Sequence, residues 1–158
     1  MPATAMSRSL PIPSARTLAH LVIGGFAGLG FWELWSAVPT AWLAGFALEP
    51  PELVKALMYT WTRIETPNTI AKLIHYITGF LFYPLGYFLI TRGIKRFGMP
   101  ADGWIWGVAT YFIALGFFAP LAGQRFLLLD VPALSFMSLV GHAIYGWLAA
   151  EVFERLER

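Results

Sequence analysis

Four long apolar stretches set the pattern of this chain, and clusters of proline, glycine and charge separate them. The first covers residues 18–38 and is closed by Pro39. The second covers 69–90, carries Pro84 as an expected kink, and ends in Arg92, Lys95 and Arg96. The third covers 103–119, opened by Asp102 and stopped by Pro120; the fourth covers 131–150, opened by Asp130 and Pro132. A helix rises about 1.5 Å per residue, so about 20 residues cross a hydrocarbon core of roughly 30 Å. The pattern therefore predicts four membrane-spanning helices.

The segment 51–65 reads differently. Leu53, Val54, Leu57, Met58, Trp61 and Ile64 recur at helical spacing, while Glu52, Lys55 and Arg63 fall elsewhere on the wheel. That is the signature of an amphipathic helix lying in the membrane interface. Thr66-Pro67 then looks like an N-cap with proline at the first helical position. The fold class expected is all-α: a four-helix membrane bundle with a short interfacial helix between its first two spans. Residues 1–17 read as a disordered cytoplasmic tail, and 151–158 as a charged cytoplasmic end in which Glu151–Arg155 and Glu154–Arg158 form i,i+4 pairs. A signal peptide is the rival reading of the start. The apolar run from Leu18 is too long for it, and no small-x-small cleavage site follows.

Composition agrees. The chain has 158 residues, 58% hydrophobic and only 13% charged, with a mean hydropathy of +0.63. Soluble domains carry about 25% charge and about 45–50% apolar residues. An ordinary cytosolic enzyme and a disordered chain are excluded. A net charge of +2 is too small to suggest a nucleic-acid partner. With no cysteine there is no disulfide framework, thiolate metal site or covalent haem attachment.

Charge placement orients the bundle. Arg8, Arg16, Arg92, Lys95, Arg96, Arg155 and Arg158 fall on the side of the termini, against Lys55, Arg63, Lys72 and Arg125 on the other. The positive-inside rule puts both termini in the cytoplasm. Trp42 and Trp61 then fit an outer aromatic belt, and Trp104 and Trp106 an inner one. In the first span, Gly24 and Gly28 form a GxxxG pair suited to close helix approach. The two helix pairs share no repeat, which argues against an inverted-repeat transporter.

Ionisable residues within spans are costly and therefore informative. Glu33 lies about six residues from the outer end of the first span, His75 at a similar depth in the second, and His142 near the middle of the fourth. Each sits on a stripe of small or polar residues: Gly30, Ser36 and Ala37 with Glu33; Ala71, Thr78, Gly79, Phe82 and Gly86 with His75; Ser135, Ser138, Gly146 and Ala149 with His142. The expectation is an interior polar cluster of Glu33, His75, Ser138 and His142. His75 and His142 are candidate ligands of a b-type haem, although their expected depths differ by about 9 Å. With Glu33 they also suit a metal, a proton path or a quinone pocket. The plainer reading is that they pack and hydrogen-bond between helices. The many aromatic residues read as filling and lipid-facing groups. Phosphate loops, GxSxG, HExxH and paired-carboxylate patterns are absent.

Asp130-Val131-Pro132, Gly141-His142, Tyr145, Trp147 and Glu151 resemble the C-terminal segment of the YagU-like family of bacterial inner-membrane proteins. His75, the apolar stretch after it and Gly86-Tyr87 resemble that family's second helix. The resemblance implies a four-helix fold in a bacterial inner membrane and no catalytic residue. The function expected is a non-catalytic accessory or assembly subunit of a larger membrane complex, respiratory or related. Its partners would be the lipid bilayer and other membrane subunits.

Overall fold

A computed structural model describes residues 11–93 and 96–158. It is all-α, with no strand among the described residues. The helices are α1 (Ala15–Ala37), α2 (Pro39–Ala44), α3 (Pro50–Thr62), α4 (Asn68–Gly93), α5 (Ala101–Leu121) and α6 (Pro132–Leu156). Four of them, with α1 and α2 taken as one run, are long and apolar enough to cross a membrane. The chain is a multi-pass helical membrane protein. Residues 1–10 of the expected tail, Arg8 included, lie outside the described residues, as does Lys95.

The expected boundaries shift for identifiable reasons. Ser14 caps α1, its hydroxyl accepting from the Thr17 amide, so the helix starts before residue 18. Pro39 does not end the run; it occupies the first turn of α2, where its missing N–H costs nothing. In α3 the left-handed Arg63 (φ 60°) ends the helix at Thr62, short of 65. Pro67 caps α4 rather than opening its first turn. Pro120 is carried within the last turn of α5. α6 runs on through the charged end to Leu156.

The two central spans widen into π-helical turns, at Thr78–Phe82 in α4 and Phe112–Phe118 in α5. The turn in α4 precedes Pro84, which has no N–H to give. The local bonding runs from residue i to i−5, as from the Tyr83 amide to the Thr78 carbonyl. The acceptor that Pro84 leaves unserved is therefore Gly79, and the Tyr145 hydroxyl donates to that carbonyl instead.

α6 is the central post, with α1 and α5 packed along it, and α4 packs mainly on α1 while also reaching α6. The contacts are close because small residues meet backbone. A Cβ on Gly24 would sit 2.5 Å from the Ala149 carbonyl oxygen. Gly107 of α5 and Gly146 of α6 face each other so closely that a Cβ on either would fall on the other helix's main chain. Lipid supplies no hydrophobic drive between helices, so such close packing is what associates them.

At the end of the bundle that carries the termini, a polar network replaces one expected pair. Glu151 does pair with Arg155, at 2.7 Å. Glu154 turns inward instead, to Arg96 at 2.8 Å, Arg92 at 3.3 Å and the Tyr87 hydroxyl at 3.2 Å. Asp102 does not cap α5. Its carboxylate accepts from the Phe97 and Gly98 amides and from Arg96, tying down the preceding loop. Burial works against the charge on Arg96, but the Glu154 and Asp102 carboxylates outweigh it and raise its pKa above the usual value. Trp106 is not a belt residue. It is buried against Gly86, while Trp104 stacks on Trp147 at 5.5 Å.

Candidate functional site

At the opposite end α4 and α5 diverge, and α3 bridges them, touching α4 and the last turn of α5. Beneath α3 lies a cavity of about 460 Å³, walled by α1, α4, α5 and α6. The apolar side of α3 faces it with Leu53, Val54, Leu57 and Met58, while Trp61 and Ile64 point away and are exposed. Leu29, Leu115, Phe118 and Leu134 supply apolar wall from the other helices. Glu49 and Glu52 stand at its exposed edge, Glu52 paired with Lys55 at 2.7 Å.

The stripe on α6 behaves as expected. Ser135, Ser138, His142, Gly146 and Ala149 are all buried, and Ser138 and His142 line the cavity one turn apart. His142 Nδ1 lies 2.8 Å from the Ser138 carbonyl oxygen. A carbonyl only accepts, so Nδ1 carries the proton and the neutral ring keeps its lone pair at Nε2. The Trp32 ring meets this imidazole edge-on at 4.4 Å, and Tyr111 at 6.0 Å.

Some buried polar atoms here have no partner, and they fall into two groups. Trp32 Nε1 is buried without a hydrogen-bond partner, as is Trp106 Nε1 elsewhere in the core, and buried His75 Nε2 has only the Glu33 carboxylate at 3.5 Å. His142 Nε2, Ser138 Oγ and the Tyr83 hydroxyl also have no hydrogen-bond partner among the described residues, yet they are not sealed. All three residues line the cavity. An apolar chamber with a few unpaired polar atoms has the character of a small-molecule site.

Glu33 does not join this group. It lies on the seam between α1 and α4 with its side chain 46% exposed, 3.5 Å from His75 Nε2 and 3.5 Å from the Tyr76 hydroxyl. The interior face of α1 is instead Gly24, Gly25, Gly28, Trp32 and Ser36; Gly30 and Ala37 are exposed. His75 lines the cavity, but its Nε2 is the atom beside Glu33. So the two histidines line one chamber: His142 Nε2 has no hydrogen-bond partner among the described residues, and His75 Nε2 lies beside Glu33. Phe82, expected inside, is 59% exposed; it is the last residue of the wide turn, where the α-helical phase does not hold. Among the described residues no group of three or more His, Cys, Asp or Glu gathers as a metal site. Sequence reasoning missed Tyr83, whose hydroxyl carries no periodic signal, and named Tyr145 only within the family resemblance, not as the residue that braces the α4 turn. No family model, curated protein or solved structure matches this chain.

Proposed function

We propose that the chain is a non-catalytic bacterial inner-membrane protein that holds one small apolar molecule, and that it does so as an accessory subunit of a larger membrane complex. The observation that carries this reading is the apolar cavity of about 460 Å³ under α3, lined also by Ser138, His142 and Tyr83, whose side chains hold polar atoms without a hydrogen-bond partner among the described residues. Ligand sites run to roughly 300–1,000 Å³ and combine apolar walls with a few placed polar groups. The excess of Lys and Arg at the terminal end supports cytoplasmic termini, which makes α3 an outward-facing cover in the interface.

The test is the molecule that travels with the protein. Extraction in mild detergent, then mass spectrometry of the organic extract, is expected to recover one apolar compound in stoichiometric amount. Filling the chamber with Ala114→Trp or Val54→Phe is expected to abolish that recovery. Protein free of any such compound, and identical in the filled variants, overturns the reading.

A haem or metal ligated by His142 is the second reading. Its support is the ring's geometry, since a ligating histidine usually donates its other N–H to a carbonyl. A visible absorption spectrum of the isolated protein separates the two: a Soret band sensitive to His142→Ala favours haem.

A further inference from the structure

We infer that the cavity selects an apolar molecule bearing an uncharged hydroxyl group, which donates its hydrogen bond to His142 Nε2. This rests on the cavity being a ligand site, as proposed above, and adds the chemistry of the head group.

The argument starts from what each open atom is able to do. His142 Nδ1 is committed to the Ser138 carbonyl, so Nε2 of the neutral ring is an acceptor only. It is matched by an O–H or N–H, and is left unpaired by an ether, an ester or a hydrocarbon. Ser138 Oγ, one turn back on the same face, and the Tyr83 hydroxyl each donate or accept, so neither opposes a hydroxyl head group. The lining thus offers an acceptor at His142 Nε2 together with groups that both donate and accept, Ser138, Tyr83 and the Gln124 amide among them.

Charge narrows the class further. No Lys or Arg lines the cavity, and the ionisable residues at its edge are Glu49 and Glu52. A carboxylate or phosphate head would meet no cation and two acids. An ammonium head would be drawn to the rim, but deeper in it would be a buried charge without a counter-charge, which is strongly unfavourable. An uncharged hydroxyl meets neither obstacle. Two sources share this chemistry: a long-chain aliphatic alcohol and a prenylated hydroquinone.

The experiment compares matched probes on the full-length protein in nanodiscs, by native mass spectrometry: 1-decanol, decyl methyl ether, decanoate at pH 8, decylamine, and a short-chain prenyl hydroquinone with its quinone. The alcohol is expected to bind about fivefold to tenfold more tightly than its methyl ether, the upper range for one neutral hydrogen bond. The preference is expected to fall below about twofold in His142→Phe. His142→Gln, which restores an acceptor, is expected to recover part of it. Hydroquinone binding above decanol identifies the ring source, and the reverse order the aliphatic one; either supports the inference. Equal binding of alcohol and ether overturns the head-group inference while leaving the cavity as a ligand site. So does tightest binding by decanoate or decylamine, or a preference that survives in His142→Phe. Absence of binding by every probe overturns both. If His142→Phe does not fold, the alcohol-to-ether ratio of the unaltered protein decides alone.

Discussion

Pro84 and Tyr145 lie far apart in sequence and act on one atom. The proline withholds an amide from the Gly79 carbonyl, and the tyrosine hydroxyl supplies the missing donor across the α4–α6 contact. Tyr145→Phe leaves that buried carbonyl unserved, a loss of about 1–3 kcal/mol. Thermal unfolding in detergent is expected to show this loss. Pro84→Ala in the Tyr145→Phe background is expected to return part of it, because alanine restores an N–H, and strict additivity of the two substitutions would contradict the account. Glu154 offers a second test at this scale. It is buried and holds Arg92, Arg96 and the Tyr87 hydroxyl together. Removing one member of a buried pair costs about 3–5 kcal/mol, but Arg96 is 36% exposed, and solvent screens part of the charge left behind. Glu154→Gln is therefore expected to cost about 2 kcal/mol by the same assay.

At the scale of helices, the glycines of this chain divide by what stands in front of them. A Cβ on Gly146 would fall on the Gly107 main chain, which has no flexible end to give way. Gly146→Ala is expected to destabilise by about 3 kcal/mol or to prevent α5 and α6 from docking. Gly30 lies in the same kind of apolar helix with nothing within 4 Å. Gly30→Ala is expected to be neutral or to stabilise by up to about 1 kcal/mol, through lower chain entropy. A pair of melting curves checks the contrast. The two residues look alike in sequence, and Gly30 even sits on the stripe that reads as interior, so the difference belongs wholly to neighbouring helices. The α4 turn makes the same point for larger side chains. Within it the α-helical phase does not hold, and the sequence stripe that keeps Ala71 buried leaves Phe82, the last residue of the turn, outside.

For the molecule as a whole, α3 is the least secured part of the bundle. None of its residues is fully buried, whereas α6 buries residues along its whole length. Hydrogen–deuterium exchange is expected to be faster in α3 than in α6, and to slow in α3 when the cavity is filled. Equal protection of the two helices would show that α3 is a fixed wall rather than a cover. A cover over the chamber would let an apolar molecule exchange without disturbing the α1–α6–α5 contacts. The polar network at the other end lies away from that exchange and holds the terminal ends of α4, α5 and α6 in register.

Sequence alone was sufficient for the membrane class, the four spans, the amphipathic α3 and the buried stripe of α6. Each of these depends on a sum or a period along one helix: enough apolar residues to cross, or a repeat of 3.6 that keeps Ser135, Ser138, His142 and Ala149 on one side. Tertiary structure decided the rest. Glu33 reads as interior, but the face of α1 that packs is the one where glycines admit another backbone, and that choice leaves the carboxylate on the seam beside His75. The chamber under α3 arises because α4 and α5 diverge, and no single helix encodes the space between two others. Whether His142 Nε2 is free depends likewise on what lies opposite it, a relation between helices that periodicity within one of them does not contain.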